Sequence, residues 1–119
     1  MARILLAEDD DDMRGFLTRA LSRAGHEVRP CADGLEALSA AERSAFDLLV
    51  ADVVMPGMDG MELARHAVGH IPDLKVVFIT GFAAVALRAR RLNLPGSTVL
   101  SKPFHLRKLV SHVERLLAA

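Results

Sequence analysis

Residues 46–60, FDLLVADVVMPGMDG, decide the fold of this chain. The apolar run at residues 48–51 has no polar alternation, which predicts a strand buried on both faces of a sheet. The run ends at Asp52, and the proline and glycines that follow predict a turn. Open α/β sheets bind ligands at the carboxyl ends of their strands, so Asp52 is the first candidate for a functional residue.

Four further segments predict the other strands, namely residues 4–7, 27–31 (with Val28 as the clearest inward side chain), 76–79 and 98–100. Apolar residues recur every three or four positions in 13–24, 35–46, 61–71 and 106–117, which predicts amphipathic helices. Residues 82–91 are also predicted as a helix, although they are apolar nearly all round before three arginines. Five strands alternating with helices predict a parallel sheet with helices on both faces.

The composition limits the function classes. The 119 residues are 51% hydrophobic, carry 15 basic and 15 acidic side chains, and include one cysteine. Zero net charge argues against general nucleic-acid affinity, and one cysteine excludes an internal disulfide. We expect no signal peptide, because the first apolar run stops at Ala7 before a block of acids, and we expect no membrane span, because no apolar run is long enough. We therefore expect one cytoplasmic domain over residues 1–119, without an output domain, as a monomer or weak dimer.

Polar residues follow four of the predicted strands and should meet at one edge of the sheet. They are Glu8 and Asp9, Asp52, Thr80, and Lys102. Neighbouring carboxylates repel one another and call for a cation, and a hard ion such as Mg²⁺ prefers oxygen ligands. With its charge compensated, Asp52 can act as a carboxylate nucleophile toward phosphorus, and Lys102 can stabilise the phosphoryl group.

The sequence resembles the receiver domain of two-component response regulators over essentially its whole length. The resemblance rests on Glu8-Asp9, on DVVMPGMDG from Asp52, on Thr80-Gly81 and on Lys102-Pro103-Phe104. It implies a flavodoxin-like fold with strand order 2-1-3-4-5. It also implies a protein without enzymatic activity apart from its own phosphorylation and dephosphorylation.

The resemblance assigns a role to each matching residue. Asp52 would accept a phosphoryl group from a histidine kinase or a histidine phosphotransfer protein. Lys102 would pair with that group, and the Lys102–Pro103 peptide bond would be cis. Thr80 would contact the phosphoryl group through its hydroxyl. Mg²⁺ would be bound by Asp9, Asp52 and the Val54 main-chain carbonyl, with Glu8 acting through water.

The chain departs from the family pattern at two places. Receivers commonly carry an aromatic residue three positions before the lysine, but Val99 stands there and the chain has no tyrosine. We therefore hypothesise that Phe82 moves on phosphorylation instead. Apolar residues also occupy the two positions that flank the attacking water in this family, Val54 and Phe82, which predicts slow loss of the phosphoryl group. The predicted switch and partner surface comprises Phe82, Val85, Val99 and Phe104.

Within the receiver family, three segments resemble the CpdR-type single-domain receivers of alphaproteobacteria. They are MARILLAEDD, FITGFAAVAL and LSKPFHLR. That resemblance implies an adaptor of the ClpXP protease that is active when unphosphorylated, acts in the cell cycle and is polar in the cell. The terminal Ala118-Ala119 resembles a degradation tag read by ClpX. The alternatives are a receiver for motility control or a phosphate sink.

Other readings are weaker. A phosphohydrolase of the haloacid dehalogenase type needs an acid two positions after its nucleophile, where this chain has Val54. A DNA-binding regulator would need a basic recognition helix, and this sequence does not show one. Cys31 is expected to be a small buried hydrophobe. The five histidines share no metal-ligand spacing and are expected to be solvated at the surface, namely His26, His66, His70, His105 and His112.

Overall fold

The computed structural model describes residues 1–92 and 94–118 as five strands that alternate with five helices. The strands are β1 (Arg3–Ala7), β2 (Glu27–Cys31), β3 (Leu48–Asp52), β4 (Lys75–Thr80) and β5 (Ser97–Ser101). The helices are α1 (Asp11–Arg23), α2 (Gly34–Arg43), α3 (Gly60–His70), α4 (Ala83–Arg91) and α5 (Leu106–Ala118). All strand pairs are parallel, in the order β2-β1-β3-β4-β5, which confirms the predicted fold class.

The sheet separates two apolar layers. Successive residues of a strand face opposite sides, so Leu5 contributes to the layer under α2, α3 and α4, whereas Ile4 contributes to the layer under α1 and α5. Every residue of β3 is buried, as expected for the central strand of a sheet that is covered on both faces. The continuous apolar run at residues 48–51 therefore places Asp52 at the centre of one sheet edge.

Helix starts differ along the chain. Asp10, Asp33 and Asp59 are the N-caps of α1, α2 and α3, and each side chain accepts a backbone N–H from the first turn. Such caps satisfy N–H groups that have no partner within the helix. The N-cap of α4 is Phe82, which makes no side-chain capping hydrogen bond.

Three sequence expectations need correction. Helix α2 ends at Arg43 and not near residue 46, because the aromatic ring of Phe46 turns into the core. Val28 is only partly buried in β2, an edge strand, and the most buried residue of that strand is Cys31. His26 is buried and not solvated. The prediction for Cys31 is confirmed, and burial raises the pKa of its thiol to about 11.

Within the described residues, no helix combines the length and the apolar character that crossing a membrane requires.

Candidate functional site

Four strand ends assemble the site. Asp52 and Thr80 are the last residues of β3 and β4, and Glu8 and Lys102 directly follow β1 and β5. The backbone N–H of Lys102 donates to the carbonyl of Thr80 at 2.8 Å, so the strand pairing continues as far as Lys102. The Lys102–Pro103 peptide bond is cis, as expected. The structure thus brings the polar residues picked out from the sequence to one edge of the sheet.

Lys102 connects the two buried carboxylates. Its Nζ lies 3.0 Å from Asp52 Oδ2 and 3.2 Å from Glu8 Oε1. Glu8 is fully buried and Asp52 is 7% exposed, so both charges are largely removed from water. Buried carboxylates that lie close together require a shared cation or a proton. The lysine supplies one positive charge for two acids.

The surroundings raise the pKa values of both Glu8 and Lys102, for different reasons. Burial is the main reason that the pKa of Glu8 rises to about 7, and the charge of Asp52 adds to the rise. Hydrogen bonds from the Asp10 backbone N–H and from Lys102 oppose it. Burial alone would lower the pKa of Lys102, but the hydrogen bond and charge of Asp52, together with Glu8, raise it above its ordinary value. The ion pair with Asp52 therefore favours the charged form of Lys102.

The carboxylates also suit a divalent cation. Glu8, Asp9 and Asp52 each offer an oxygen, and these three oxygens lie within 4.8 Å of one another. Asp9 is exposed, whereas its two neighbours are buried, so the cluster opens toward solvent on one side. An all-oxygen donor set with room for water is what Mg²⁺ prefers. The residues that are present fit the ion implied by the sequence.

The loop after β3 fixes the orientation of Asp52. Asp52 Oδ1 accepts the backbone N–H of Val54 at 3.1 Å. The loop turns at Gly57, whose φ of 76° lies in the left-handed region that glycine tolerates best. Gly60 begins α3 so close to the Asp52 carbonyl that a β-carbon would collide with it. Asp52 is thus held by backbone on one oxygen and by Lys102 on the other.

Thr80 and Phe82 link the site to α4. The buried Thr80 hydroxyl accepts the backbone N–H of Phe82 at 3.2 Å. The Phe82 ring is 60% exposed and Val54 is 47% exposed. Val85 and Val99 pack in the layer under α4, whereas Phe104 packs on the opposite side of the sheet. The residues predicted as one switch and partner surface therefore lie on different faces.

An open groove of about 550 Å³ lies beside the lysine, and its lining is mainly apolar. It is lined by Met13, Phe16, Gly81, Lys102, Pro103, Phe104 and Leu106. Because Lys102 reaches both the groove and Asp52, a molecule in the groove comes close to the carboxylates.

Sequence reasoning missed a polar contact at the opposite end of the sheet. The His26 side chain is 4% exposed, and its Nδ1 accepts the backbone N–H of Ala2 at 3.1 Å. Its Nε2 lies 3.1 Å from Glu114 Oε1 in α5. These contacts define the neutral tautomer with the proton on Nε2. No local pattern could reveal the pair, since its members are 88 positions apart.

A family model described as the response regulator receiver domain matches residues 4–114. The chain belongs to the response regulator receiver family. It is 54% identical over 119 residues to the response regulator receiver protein CpdR of Brucella abortus (strain 2308), covering 100% of this chain and 99% of that protein. It is 41% identical over 121 residues to the sensor kinase CckA of the same strain, covering 98% of this chain and 12% of the kinase.

Solved receiver structures agree with the fold. The receiver domain of the hybrid histidine kinase CckA has a TM-score of 0.83 and 38% identity, covering 97% of this chain and 98% of that one. A response regulator receiver protein from Sinorhizobium medicae WSM419 has a TM-score of 0.91 and 32% identity, covering 98% and 94%. The receiver family implies a histidine kinase as a partner of this chain.

Proposed function

We propose that this receiver accepts a phosphoryl group on Asp52 from a histidine kinase or a histidine phosphotransfer protein. The observation that carries the proposal is the Lys102 ammonium group, which lies between Asp52 and Glu8. An Asp52 oxygen attacks the phosphorus of a phosphohistidine, and the P–N bond breaks. The leaving imidazole nitrogen takes the electron pair of that bond and receives a proton from solvent water, so the donor histidine returns to its neutral form.

The surrounding groups have distinct tasks in this transfer. The Val54 N–H holds one Asp52 oxygen, and Lys102 can move its charge from the carboxylate to the phosphoryl oxygens. The Thr80 hydroxyl has a hydrogen of its own to donate to the same group. When bound, Mg²⁺ would neutralise part of the charge on the carboxylates and the phosphoryl group.

We further propose that the protein is an adaptor of ClpXP in the unphosphorylated state. The support is the 54% identity to CpdR over the full chain, together with the expectations that attach to CpdR-type receivers. A role in the cell cycle and a polar position in a cytoplasmic setting belong to the same proposal. Phe82 fits the readout, since its backbone N–H donates to the Thr80 hydroxyl and its side chain is largely exposed.

A degradation assay tests the adaptor role. Extracts from cells that lack this chain would be supplied with ClpXP. Wild-type protein or the Asp52→Ala variant would then be added, each with and without acetyl phosphate. We expect both proteins to support substrate degradation, and the phosphodonor to abolish it only for wild type. Equal loss with both proteins, or no adaptor effect at all, would contradict the proposal. A pull-down would test the alternative: if the protein captures a flagellar switch protein and not ClpX, a role in motility control is favoured.

Two narrower tests follow the switch and the possible tag. Phe82→Ala should weaken the phosphorylation-dependent change in partner binding, and an unchanged response would refute a role for that ring.

Ala118 is exposed at the end of α5, and Ala119 lies outside the described residues. Changing both alanines to aspartate should slow turnover by ClpXP, and equal turnover would remove the tag hypothesis.

A further inference from the structure

Asp9 lies in the short junction between β1 and α1, and its neighbours hold that junction in place. The Glu8 backbone N–H donates to the Cys31 carbonyl at 3.1 Å, which ties the junction to the end of β2. The Glu8 side chain accepts the backbone N–H of Asp10 at 3.2 Å, and Asp10 in turn caps α1. Asp9 itself is exposed, so its orientation depends on the backbone on either side of it.

Arg14 of α1 reaches back to this junction. Its Nη1 donates to the Glu8 carbonyl at 3.0 Å, and its Nη2 donates to the Asp11 carboxylate. The Glu8 carbonyl and the Asp9 N–H belong to one planar peptide group. A guanidinium group that fixes this carbonyl therefore also fixes the plane from which the Asp9 side chain projects.

An ion pair within the helix does not account for the whole of this contact. The Arg14 side chain is 22% exposed, whereas the Asp11 side chain is 87% exposed, so water weakens the attraction between their charges. The Glu8 carbonyl lies outside the helix, and the hydrogen bond to it is partly buried. Hydrogen bonds from a charged donor are stronger than neutral ones, and the planar guanidinium group can bind two acceptors at once.

We propose that Arg14 is a positioning residue for the Mg²⁺ site, and that it orients the Asp9 carboxylate through the Glu8–Asp9 peptide group. The inference rests on the proposed role of Asp9 in binding the ion. The oxygens of Glu8, Asp9 and Asp52 lie within 4.8 Å of one another. Mg²⁺ requires nearly ideal geometry, and groups that orient its ligands affect its affinity without touching the ion.

The charge of Arg14 acts in the opposite direction to its hydrogen bond. A cation beside the carboxylates repels Mg²⁺, so an effect of charge alone predicts tighter binding when the guanidinium group is removed. Loss of an orienting contact predicts weaker binding. The sign of the change in Mg²⁺ affinity therefore separates positioning from electrostatics.

Isothermal titration calorimetry with MgCl₂ measures that sign. Arg14→Met should weaken Mg²⁺ binding about fivefold, because the carboxylate remains but is no longer oriented. Arg19→Met removes the same charge at an exposed position further along α1, and should change the affinity less than about twofold. Unchanged or tighter Mg²⁺ binding by Arg14→Met, or an equal loss in Arg19→Met, would overturn the inference.

Circular dichroism shows whether each variant is folded. If Arg14→Met does not fold, Arg14→Lys replaces it in the titration. Lysine keeps the charge but presents a single ammonium group to the two acceptors, so Arg14→Lys should also bind Mg²⁺ more weakly than wild type. Wild-type affinity in that variant would then overturn the inference.

A double variant tests whether Arg14 acts through Asp9. If it does, Arg14→Met combined with Asp9→Asn should bind Mg²⁺ less than about twofold more weakly than Asp9→Asn alone. Losses that multiply would show a separate effect of Arg14 and overturn the inference. Wild-type protein that binds no Mg²⁺ would overturn both this inference and the proposed metal site. Wild-type binding that Asp9→Asn weakens but Arg14→Met does not would overturn the inference alone.

Discussion

The proposed phosphoacceptor edge, which comprises Glu8, Asp52, Thr80 and Lys102, and the segment of residues 82–92 are held in different ways. At the edge, Glu8, Asp52 and Thr80 are buried, and no buried side-chain polar atom in the described residues lacks a hydrogen-bond partner. In the segment, α4 begins without a side-chain cap, has no acid in its first turn and exposes most of its length. The residues that match the receiver pattern lie at the first region together with the departure at Val54, whereas the departures at Phe82 and Val99 lie in or beside the second.

This difference suggests a division of roles, in which the edge around Asp52 carries the phosphoryl transfer and residues 82–92 change their structure in response. A side-chain N-cap contributes about 1 kcal/mol to a helix, and α1, α2 and α3 each have one. The arginines in the last turn of α4 each favour its negative dipole end, but α1 and α2 also carry an arginine there, so the missing cap remains a difference between these helices. We therefore expect α4 to open more readily than the other helices and to change when Asp52 is phosphorylated.

The largest effect is expected for Lys102→Met. The change leaves Glu8 and Asp52 close together without their shared cation, and unpairing a buried charge costs about 3–5 kcal/mol. The lysine side chain is 24% exposed, so we expect a loss of about 2 kcal/mol in the free energy of unfolding. Urea unfolding followed by circular dichroism measures it. The exposed Lys108→Met is the control, and indistinguishable stabilities of the two variants would contradict the account.

Asp9→Asn should weaken Mg²⁺ binding about tenfold, or about 1.4 kcal/mol, because it removes one of three clustered carboxylates. Isothermal titration calorimetry is suitable, since the chain has no tryptophan or tyrosine to report the ion by fluorescence. Asp12→Asn changes the same charge in the first turn of α1 and should have little effect. Equal affinities for the two variants would place the ion elsewhere.

Val54→Asn should speed loss of the phosphoryl group about fivefold, close to 1 kcal/mol in activation free energy. The Val54 backbone N–H contacts Asp52, but the valine side chain is apolar and offers no hydrogen bond to an attacking water, whereas asparagine does. The decay of phosphorylated protein, followed by intact-mass measurement after donor removal, tests this. Leu35→Asn, at an exposed position of α2, should leave the lifetime unchanged. A lifetime unchanged by Val54→Asn would refute the role assigned to that position.

The smallest effects concern the helix caps. Asp59→Ala should lower the free energy of unfolding by about 1 kcal/mol through loss of the α3 cap. Phe82→Ser should raise it by about 0.5 kcal/mol, because serine can cap α4 and the exposed ring contributes little burial. Urea unfolding of both variants measures the contrast. Destabilisation by Phe82→Ser as large as that of Asp59→Ala would show that α4 is held as firmly as α3.

The sheet and the acceptor edge were predictable because their signals are local. The unbroken apolar run before Asp52 specifies a central buried strand, and parallel strands bring their carboxyl ends together. The family resemblance supplied the strand order. The bridging position of Lys102 depends on side-chain packing across four strands, which neither spacing nor pattern describes.

The errors come from contacts distant in sequence. Glu114 is 88 residues from His26, so the burial of that histidine has no local signature. Cys31 and Val28 face opposite sides of the edge strand β2, and Cys31 is the one that is fully packed, in the layer under α2 and α3. Residues 81–119 contain 7 basic side chains and 1 acidic side chain, an imbalance that the total charge of zero hides.

Mapping the phosphorylated residue tests the central claim most directly. Wild type, Asp52→Ala and the exposed-site control Asp73→Ala would be incubated with acetyl phosphate and Mg²⁺, then analysed by intact mass and peptide mapping. The account predicts one phosphoryl group on the peptide containing Asp52 in wild type and Asp73→Ala, and none on Asp52→Ala. Phosphorylation of Asp52→Ala to the wild-type level, or mapping of the group to another residue, would contradict it.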